Sequence, residues 1–181
     1  MPSGSTHDRI TLWTVPWLVV LGWYLSKNGK LALLLTLGFL FSGLMFGPDL
    51  DIYSVQFKRW GKLRFLWLPY QKLIKHRSLL SHGPILGTMI RVIYLLTIIT
   101  LVGIMTVGIA QLIWGFEWNW GQFRNYLWEL ASKSQRNSTI AFYLGLELGS
   151  FSHSLSDWLV SRAKRRQKKP RNQKSYSKKS R

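Results

Sequence analysis

Cysteine is absent from this chain of 181 residues, and acidic residues are scarce. The lack of cysteine excludes disulfides, thiolate metal ligands and a cysteine nucleophile, so any metal site would consist of histidine and carboxylate. The chain contains seven Asp and Glu and four His, compared with 25 Lys and Arg. Because these residues are so few, their positions carry most of the functional information in the sequence.

Long apolar runs and ten tryptophans make a membrane protein the expected class. The clearest run, Ile85–Trp114, contains one charge, Arg91, and exceeds the roughly 20 residues that cross a bilayer. Two shorter runs, Leu12–Leu25 and Leu31–Phe46, flank a Ser-Lys-Asn-Gly-Lys turn. They predict a helical hairpin that crosses the membrane or only dips into it.

A fourth run, Thr139–Val160, is long enough to span but contains Glu147, His153 and Asp157. These groups are costly in hydrocarbon unless they face the protein interior or a wet cavity. The expected fold is therefore all-α: a multipass membrane protein with three to four hydrophobic helices and a polar site at one membrane face. We expect this membrane-embedded domain to occupy residues 1–161.

The last segment, residues 162–181, contains eleven of the 25 Lys and Arg and no acid. This composition predicts a disordered basic tail. Basic residues next to a membrane contribute about 1 kcal/mol each at an anionic surface, so lipid headgroups are the expected partner. Nucleic acid is less favoured, since Tyr176 is the tail's one aromatic side chain and stacking platforms are missing.

The distribution of Lys and Arg predicts the orientation, because short cytoplasmic loops collect these residues. If the chain crosses the membrane four times, only five of the 25 Lys and Arg lie on the side opposite the termini: Lys27, Lys30, Arg124, Lys133 and Arg136. Both termini are therefore expected in the cytoplasm, in the plasma or inner membrane of a bacterium. The same side receives all four histidines.

The four histidines and all four aspartates fall into four clusters near the ends of the apolar runs. The clusters are His7-Asp8-Arg9, Gly47-Pro48-Asp49-Leu50-Asp51, His76-Arg77-Ser78-Leu79-Leu80-Ser81-His82-Gly83-Pro84, and His153-x-x-x-Asp157. Residues four apart share a helix face, so the last pair can point at one ion. Mixed imidazole and carboxylate ligands suit zinc, manganese or iron, and a site with more than four of them can hold two ions. Each cluster alone also has an ordinary structural interpretation as an interfacial residue or a turn.

The order of these four clusters resembles a family of metal-binding proteins of unknown function that is common in cyanobacteria. The chain also looks like a relative of the membrane-bound, metal-dependent hydrolases of bacterial inner membranes, which share a Pro-Asp-x-Asp and a His-Arg-x-x-x-x-His element. The resemblance covers roughly residues 3–160. It implies ligands at His7, Asp49, His76, His82 and His153, with Asp51 and Asp157 as further ligands or their partners.

A more distant similarity, to zinc-dependent phospholipase C and related nucleases, rests on His153 and Asp157 and implies phosphoester hydrolysis. The middle His-x-x-x-Asp of those enzymes is absent here. The leading hypothesis is thus a membrane protein that binds one or two divalent ions, most simply zinc, and hydrolyses a phosphoester or lipid-like substrate. Asp51 is expected to accept the proton from water, and Arg77 to stabilise developing charge.

Two alternatives stay open at this point. The same polar groups can belong to an ion or proton transport component, in which Glu147 would be a deeper step of the path. The chain can also be a non-enzymatic membrane tether, with a structural His/Asp set and a tail that binds lipid or RNA.

Overall fold

The computed structural model describes residues 4–76, 78–130 and 133–177. Every regular element among them is helical, which confirms the predicted all-α class. The α-helices are α1 (Gly4–Ser26), α2 (Gly29–Leu44), α3 (Val55–Arg59), α4 (Leu68–Leu73), α5 (Leu79–His82), α6 (Leu86–Trp114), α7 (Trp120–Leu130) and α8 (Lys133–Ser177), with 3-10 turns at Pro48–Asp51 and Gly61–Trp67.

Helices α1 and α2 form the predicted hairpin. Asn28 caps α2, because its side-chain oxygen accepts hydrogen bonds from the backbone N–H groups of Lys30 and Leu31. Helix α1 begins earlier than the apolar run, at Gly4. It therefore includes His7, which the sequence placed in a segment before the first span.

The long helix α8 packs along α2 through small residues. A side chain at Gly38 would overlap the Phe142 carbonyl oxygen, and one at Gly145 would overlap the Leu35 carbonyl oxygen. Further along the same interface, the buried hydroxyls of Ser42 and Ser150 are 2.9 Å apart. Small residues let two helix backbones approach closely, an arrangement common between membrane helices.

The connection between α2 and α6 is a folded unit and not an extended loop. Trp67 is fully buried and meets Phe46, Trp60 and Tyr70 edge-on, at centroid distances of 5.6, 5.1 and 5.6 Å. Tyr94 of α6 closes the cluster by donating a hydrogen bond to the Leu66 carbonyl. Aromatic pairs of this kind add to the stabilisation from burial, and this core holds the 3-10 turn Pro48–Asp51 beside α5.

Helix α6 coincides with the predicted run Ile85–Trp114, but it leaves the rest of the molecule after its first turns. Arg91 is the last buried residue of the helix, and no residue from Val92 to Trp114 is buried. Two segments of the described chain are long and apolar enough to cross a membrane, Gly29–Asp51 and Leu86–Trp114. The other two predicted spans, residues 12–25 and 139–160, do not meet that criterion.

Helix α8 runs to Ser177 and so extends into the basic segment that was expected to be disordered. The disorder of residues 162–181 stays a prediction. Residues 178–181 lie outside the described residues.

Candidate metal centre

The four histidines and three aspartates of the predicted clusters meet at one end of the helical bundle. His7 comes from the first turns of α1, His82 from the end of α5, and His153 and Asp157 from one face of α8. Asp49 and Asp51 come from the Pro48–Asp51 turn, whose proline starts the turn directly after α2. Elements far apart in the sequence thus supply one site.

His7, His153 and Asp157 form the first group of facing ligand atoms, all within 4.8 Å of one another. His7 Nε2 lies 3.4 Å from Asp157 Oδ1, and His153 Nε2 lies 4.0 Å from Asp157 Oδ2. The i,i+4 spacing on α8 therefore directs both side chains at one point, as the sequence predicted. Asp49 Oδ2 joins the group at 3.2 Å from His153 Nε2.

A second group, of Asp49, His82 and Asp157, adjoins the first. His82 Nε2 is 3.7 Å from the second carboxylate oxygen of Asp49, Oδ1. Asp49 therefore faces His153 with one oxygen and His82 with the other. This carboxylate thus adjoins both groups of ligand atoms.

Asp51 and His76 form the outer part of the cluster. The Asp51 carboxylate is fully buried, and its Oδ1 lies 2.9 Å from His76 Nδ1. Its Oδ2 accepts a short hydrogen bond from the Ser81 hydroxyl. His76 is 30% exposed and packs edge-on against His82 at 5.1 Å. Asp51, His76 and His82 also offer ligand atoms within 4.8 Å of one another, so they form a third group that could hold a cation.

Two serine hydroxyls contact the inner histidines. Ser81 Oγ is 2.8 Å from His82 Nδ1, and Ser156 Oγ is 2.8 Å from His7 Nδ1. The sequence analysis did not single out Ser156. Its position three residues after His153 would have marked it as the next turn of the same helix face.

The surroundings of His7 oppose protonation of its imidazole ring. Burial and then charge repulsion from His153 lower the pKa of His7, an effect that Asp157 and Asp49 offset only in part. The rings of His7 and His153 are stacked at 3.9 Å with an interplanar angle of 17°. The stacked arrangement places the two imidazole rings side by side at the centre.

The hydrogen bonding of the cluster indicates that its residues fit a divalent cation. Several buried side-chain atoms of the cluster have no hydrogen-bond partner among the described residues: Asp49 Oδ1, His82 Nε2, His153 Nδ1, His153 Nε2 and Asp157 Oδ1. Buried polar atoms are nearly always satisfied, so a group of unpaired ones requires an explanation. Four of the five belong to the ligand atoms that face one another, and cations bound at the two groups would satisfy these four.

Arg91 and Glu147 lie beside the cluster but hold the fold. The buried guanidinium of Arg91 donates to the Ser81 carbonyl at 2.8 Å and to the Ser150 hydroxyl at 2.7 Å. Glu147 Oε1 accepts from the backbone N–H of Ile85 at 2.6 Å and so caps the start of α6. Arg77, the second predicted catalytic residue, lies outside the described residues.

A cavity of about 260 Å³ opens onto the cluster. His7, Asp49, His153 and Asp157 line its inner side. Lys58 and Arg59 of α3 lie at its outer side, and Arg59 pairs with Asp8, which raises the pKa of the guanidinium. The cavity therefore combines a carboxylate and imidazole floor with a basic rim.

These features define an all-helical protein with a buried histidine and aspartate centre whose residues fit a cation. The chain belongs to the family of uncharacterized metal-binding proteins (DUF2227), whose match extends over residues 2–167. The family thus agrees with the metal-binding part of the sequence prediction.

One relative is an uncharacterized protein of Aquifex aeolicus (strain VF5), with 38% identity over 60 residues. The match covers 33% of this chain and spans 42% of the length of that relative. No solved structure matches the chain significantly.

Proposed function

We propose that this protein is a metal-dependent hydrolase of the membrane that cleaves a phosphoester in a lipid-like substrate. The observation that carries the proposal is the convergence of unpaired buried ligand atoms at the floor of a basic-rimmed cavity. The similarity to membrane-bound metal-dependent hydrolases, seen in Pro-Asp-x-Asp and His-Arg-x-x-x-x-His, supports the same activity.

Two divalent ions fit the donor set. His7, His153 and Asp157 would hold one ion, and His82, Asp49 and Asp157 the other, so that Asp157 is common to both groups. Imidazole and carboxylate donors favour zinc, with manganese and iron as alternatives. When bound, such ions supply water of lowered pKa and neutralise charge that develops on a phosphoryl group.

Asp51 and His76 are proposed to remove the proton from the attacking water. Asp51 was expected to accept this proton by itself, but its two oxygens are occupied by His76 and Ser81. His76 is the partly exposed member of the pair, and the carboxylate at Nδ1 orients its ring. The pair therefore supports a role in which Asp51 acts through His76.

The basic rim supports an anionic substrate. Lys58 would attract a phosphate to the cavity, whereas Arg59 is already paired with Asp8 of the same lining. Arg77 is proposed from the sequence alone as a further cation near the reacting group. Trp13 and Trp17 on the exposed face of α1 are 77% and 74% exposed, as expected for side chains in contact with lipid.

Membrane integration and orientation belong to the same proposal. The apolar part of α6 from Val92 to Trp114, which contains no buried residue, supports insertion into the membrane. An apolar surface of this size exposed to water is rare in soluble proteins. We place the metal centre and both termini on the cytoplasmic side, and the basic tail on anionic headgroups.

The test uses the full-length protein in detergent micelles, loaded with zinc, manganese or iron, and measures phosphate release from phosphomonoester and phospholipid substrates. Asp49→Asn is expected to abolish hydrolysis, and His76→Gln to slow it about 100-fold or more. Glu117→Gln, the same carboxylate-to-amide change in the α6–α7 connection, is the control. Equal rates for Asp49→Asn and wild type, or no hydrolysis by metal-loaded protein, would refute the proposal.

A further inference from the structure

We infer that Ser81 and Ser156 are positioning residues that fix the tautomers of His82 and His7 and thereby direct both Nε2 lone pairs at the metal centre. The inference rests on the proposed metal centre. It identifies Nε2 as the atom of His7 and of His82 that would bind the metal ion. It follows from counting the hydrogens that each serine hydroxyl can donate.

Ser156 has one hydroxyl hydrogen and two neighbours. Its Oγ donates to the His153 carbonyl at 2.8 Å, a bond that follows from the three-residue spacing on α8. The same oxygen lies 2.8 Å from His7 Nδ1 and must then accept there. His7 therefore carries its proton on Nδ1, and its Nε2 presents a lone pair 3.4 Å from Asp157 Oδ1.

Ser81 repeats this arrangement on a different element. Its hydroxyl hydrogen goes to the buried Asp51 carboxylate, the strongest acceptor nearby. Its oxygen lies 2.8 Å from His82 Nδ1 and accepts there as well. His82 Nε2 is then an unprotonated atom 3.7 Å from Asp49 Oδ1, which agrees with its lack of any hydrogen-bond partner among the described residues.

In each case a lone pair faces a carboxylate oxygen without a hydrogen between them. Such a contact is repulsive unless a cation lies between the two atoms. The tautomer of a ligating histidine is generally set by the hydrogen bond of its other nitrogen. Here a hydroxyl takes the place of the more common carboxylate or carbonyl.

The fold holds both serines in place. Ser81 is fully buried, and Arg91 donates to its backbone carbonyl at 2.8 Å. Ser156 is 7% exposed and is anchored to the backbone of α8, the helix that also carries His153. Neither hydroxyl is free to turn toward solvent.

The first test reads the tautomers directly in metal-free full-length protein with nitrogen-15-labelled histidine, at a pH where the imidazoles are neutral. Long-range nitrogen–proton NMR spectra distinguish Nδ1–H from Nε2–H rings. Four histidines, assigned by single His→Gln variants, make the spectrum tractable. We expect Nδ1–H rings for His7 and His82 in the wild type, and loss of that preference for His7 in Ser156→Ala and for His82 in Ser81→Ala. Nε2–H rings in the wild type would overturn the inference.

The second test measures metal affinity by competition with a chromophoric chelator. Loss of a partner that orients a ligand typically lowers affinity about 10–100-fold, which is the effect expected for Ser156→Ala and Ser81→Ala. Ser156→Thr keeps the hydroxyl and is expected to restore both affinity and tautomer. Ser152→Ala, a half-buried serine of the same helix with no side-chain hydrogen bond in the described chain, is the control.

The outcomes separate this inference from the proposed function. If the wild type binds no divalent ion, the metal centre itself fails. If the wild type binds metal and the alanine variants bind equally well, only the positioning role of the serines is refuted. A loss of affinity in Ser156→Ala that Ser156→Thr does not reverse would count against the hydroxyl and for simple packing.

Discussion

The imidazole rings of His7 and His153 are stacked at 3.9 Å, although one belongs to the first helix of the chain and the other to the last. Asp157 lies within reach of both rings and adds a carboxylate to the pair. A cation bound by these three residues would hold the start of α1 against α8. Metal binding and the stability of the helical bundle would therefore be coupled.

The first prediction follows from this coupling. Saturation with zinc at 100 times the dissociation constant should stabilise the wild type by about 2.7 kcal/mol, because only the folded chain offers the assembled site. A chelator should reverse the gain in a thermal unfolding experiment. Asp157→Ala removes the residue common to both groups and is expected to unfold at one temperature with and without zinc. A zinc response equal to that of the wild type would contradict the site.

The second prediction concerns the packing of α2 on α8. Gly145→Ala places a methyl group against the Leu35 carbonyl and should cost about 1–3 kcal/mol of unfolding free energy. Gly103→Ala in α6 is the matched control, because the added methyl group would meet no neighbouring atom within 4 Å. This variant should be neutral or stabilising by up to about 1 kcal/mol. Thermal unfolding in the same detergent compares the two. Equal stability of both variants would show that the helices are not in close contact.

The third prediction contrasts two arginines. Arg91→Met removes a fully buried guanidinium that donates to Ser81, Thr88 and Ser150, and should destabilise the protein by about 2 kcal/mol or more. Arg59→Met breaks a partly exposed ion pair with Asp8 and should cost about 1 kcal/mol. Chemical unfolding of both variants measures the difference. A larger loss of unfolding free energy for Arg59→Met than for Arg91→Met would contradict the conclusion that Arg91 holds α5, α6 and α8 together.

The fourth prediction tests the orientation in the membrane. The natural lack of cysteine allows single-cysteine labelling without a background. One cavity is lined by Ser26 and Leu31, which lie on either side of the hairpin turn, and also by Asn137. The hairpin turn and this part of α8 therefore lie at the same end of the bundle. Asn28→Cys and Asn137→Cys should react with an impermeant reagent from outside intact cells. Lys58→Cys, at the metal end, should react only after permeabilisation; the reverse pattern would refute the orientation.

Part of the fold could be read from the sequence because it depends on local order. The run Ile85–Trp114 is apolar throughout, and α6 coincides with it almost residue for residue. The polar turn with Asn28 between two apolar runs likewise predicted the α1–α2 hairpin. By contrast, residues 45–75 have no clear period. Their compact form depends on the burial of Trp67 against aromatic side chains from several elements, which single segments do not encode.

The sequence by itself determined which residue types are available for chemistry. With no cysteine and few acids, four histidines and three aspartates near the ends of apolar runs were the candidate ligands. The tertiary structure decided how they are arranged: Asp49 lies between His82 and His153, and Asp51 is occupied by His76 and Ser81. It also revealed the contact of Ser156 with His7. The physical reason is that a hydrogen bond depends on distances of about 3 Å between atoms, and only the packing of α1, α5 and α8 around the Pro48–Asp51 turn sets those distances.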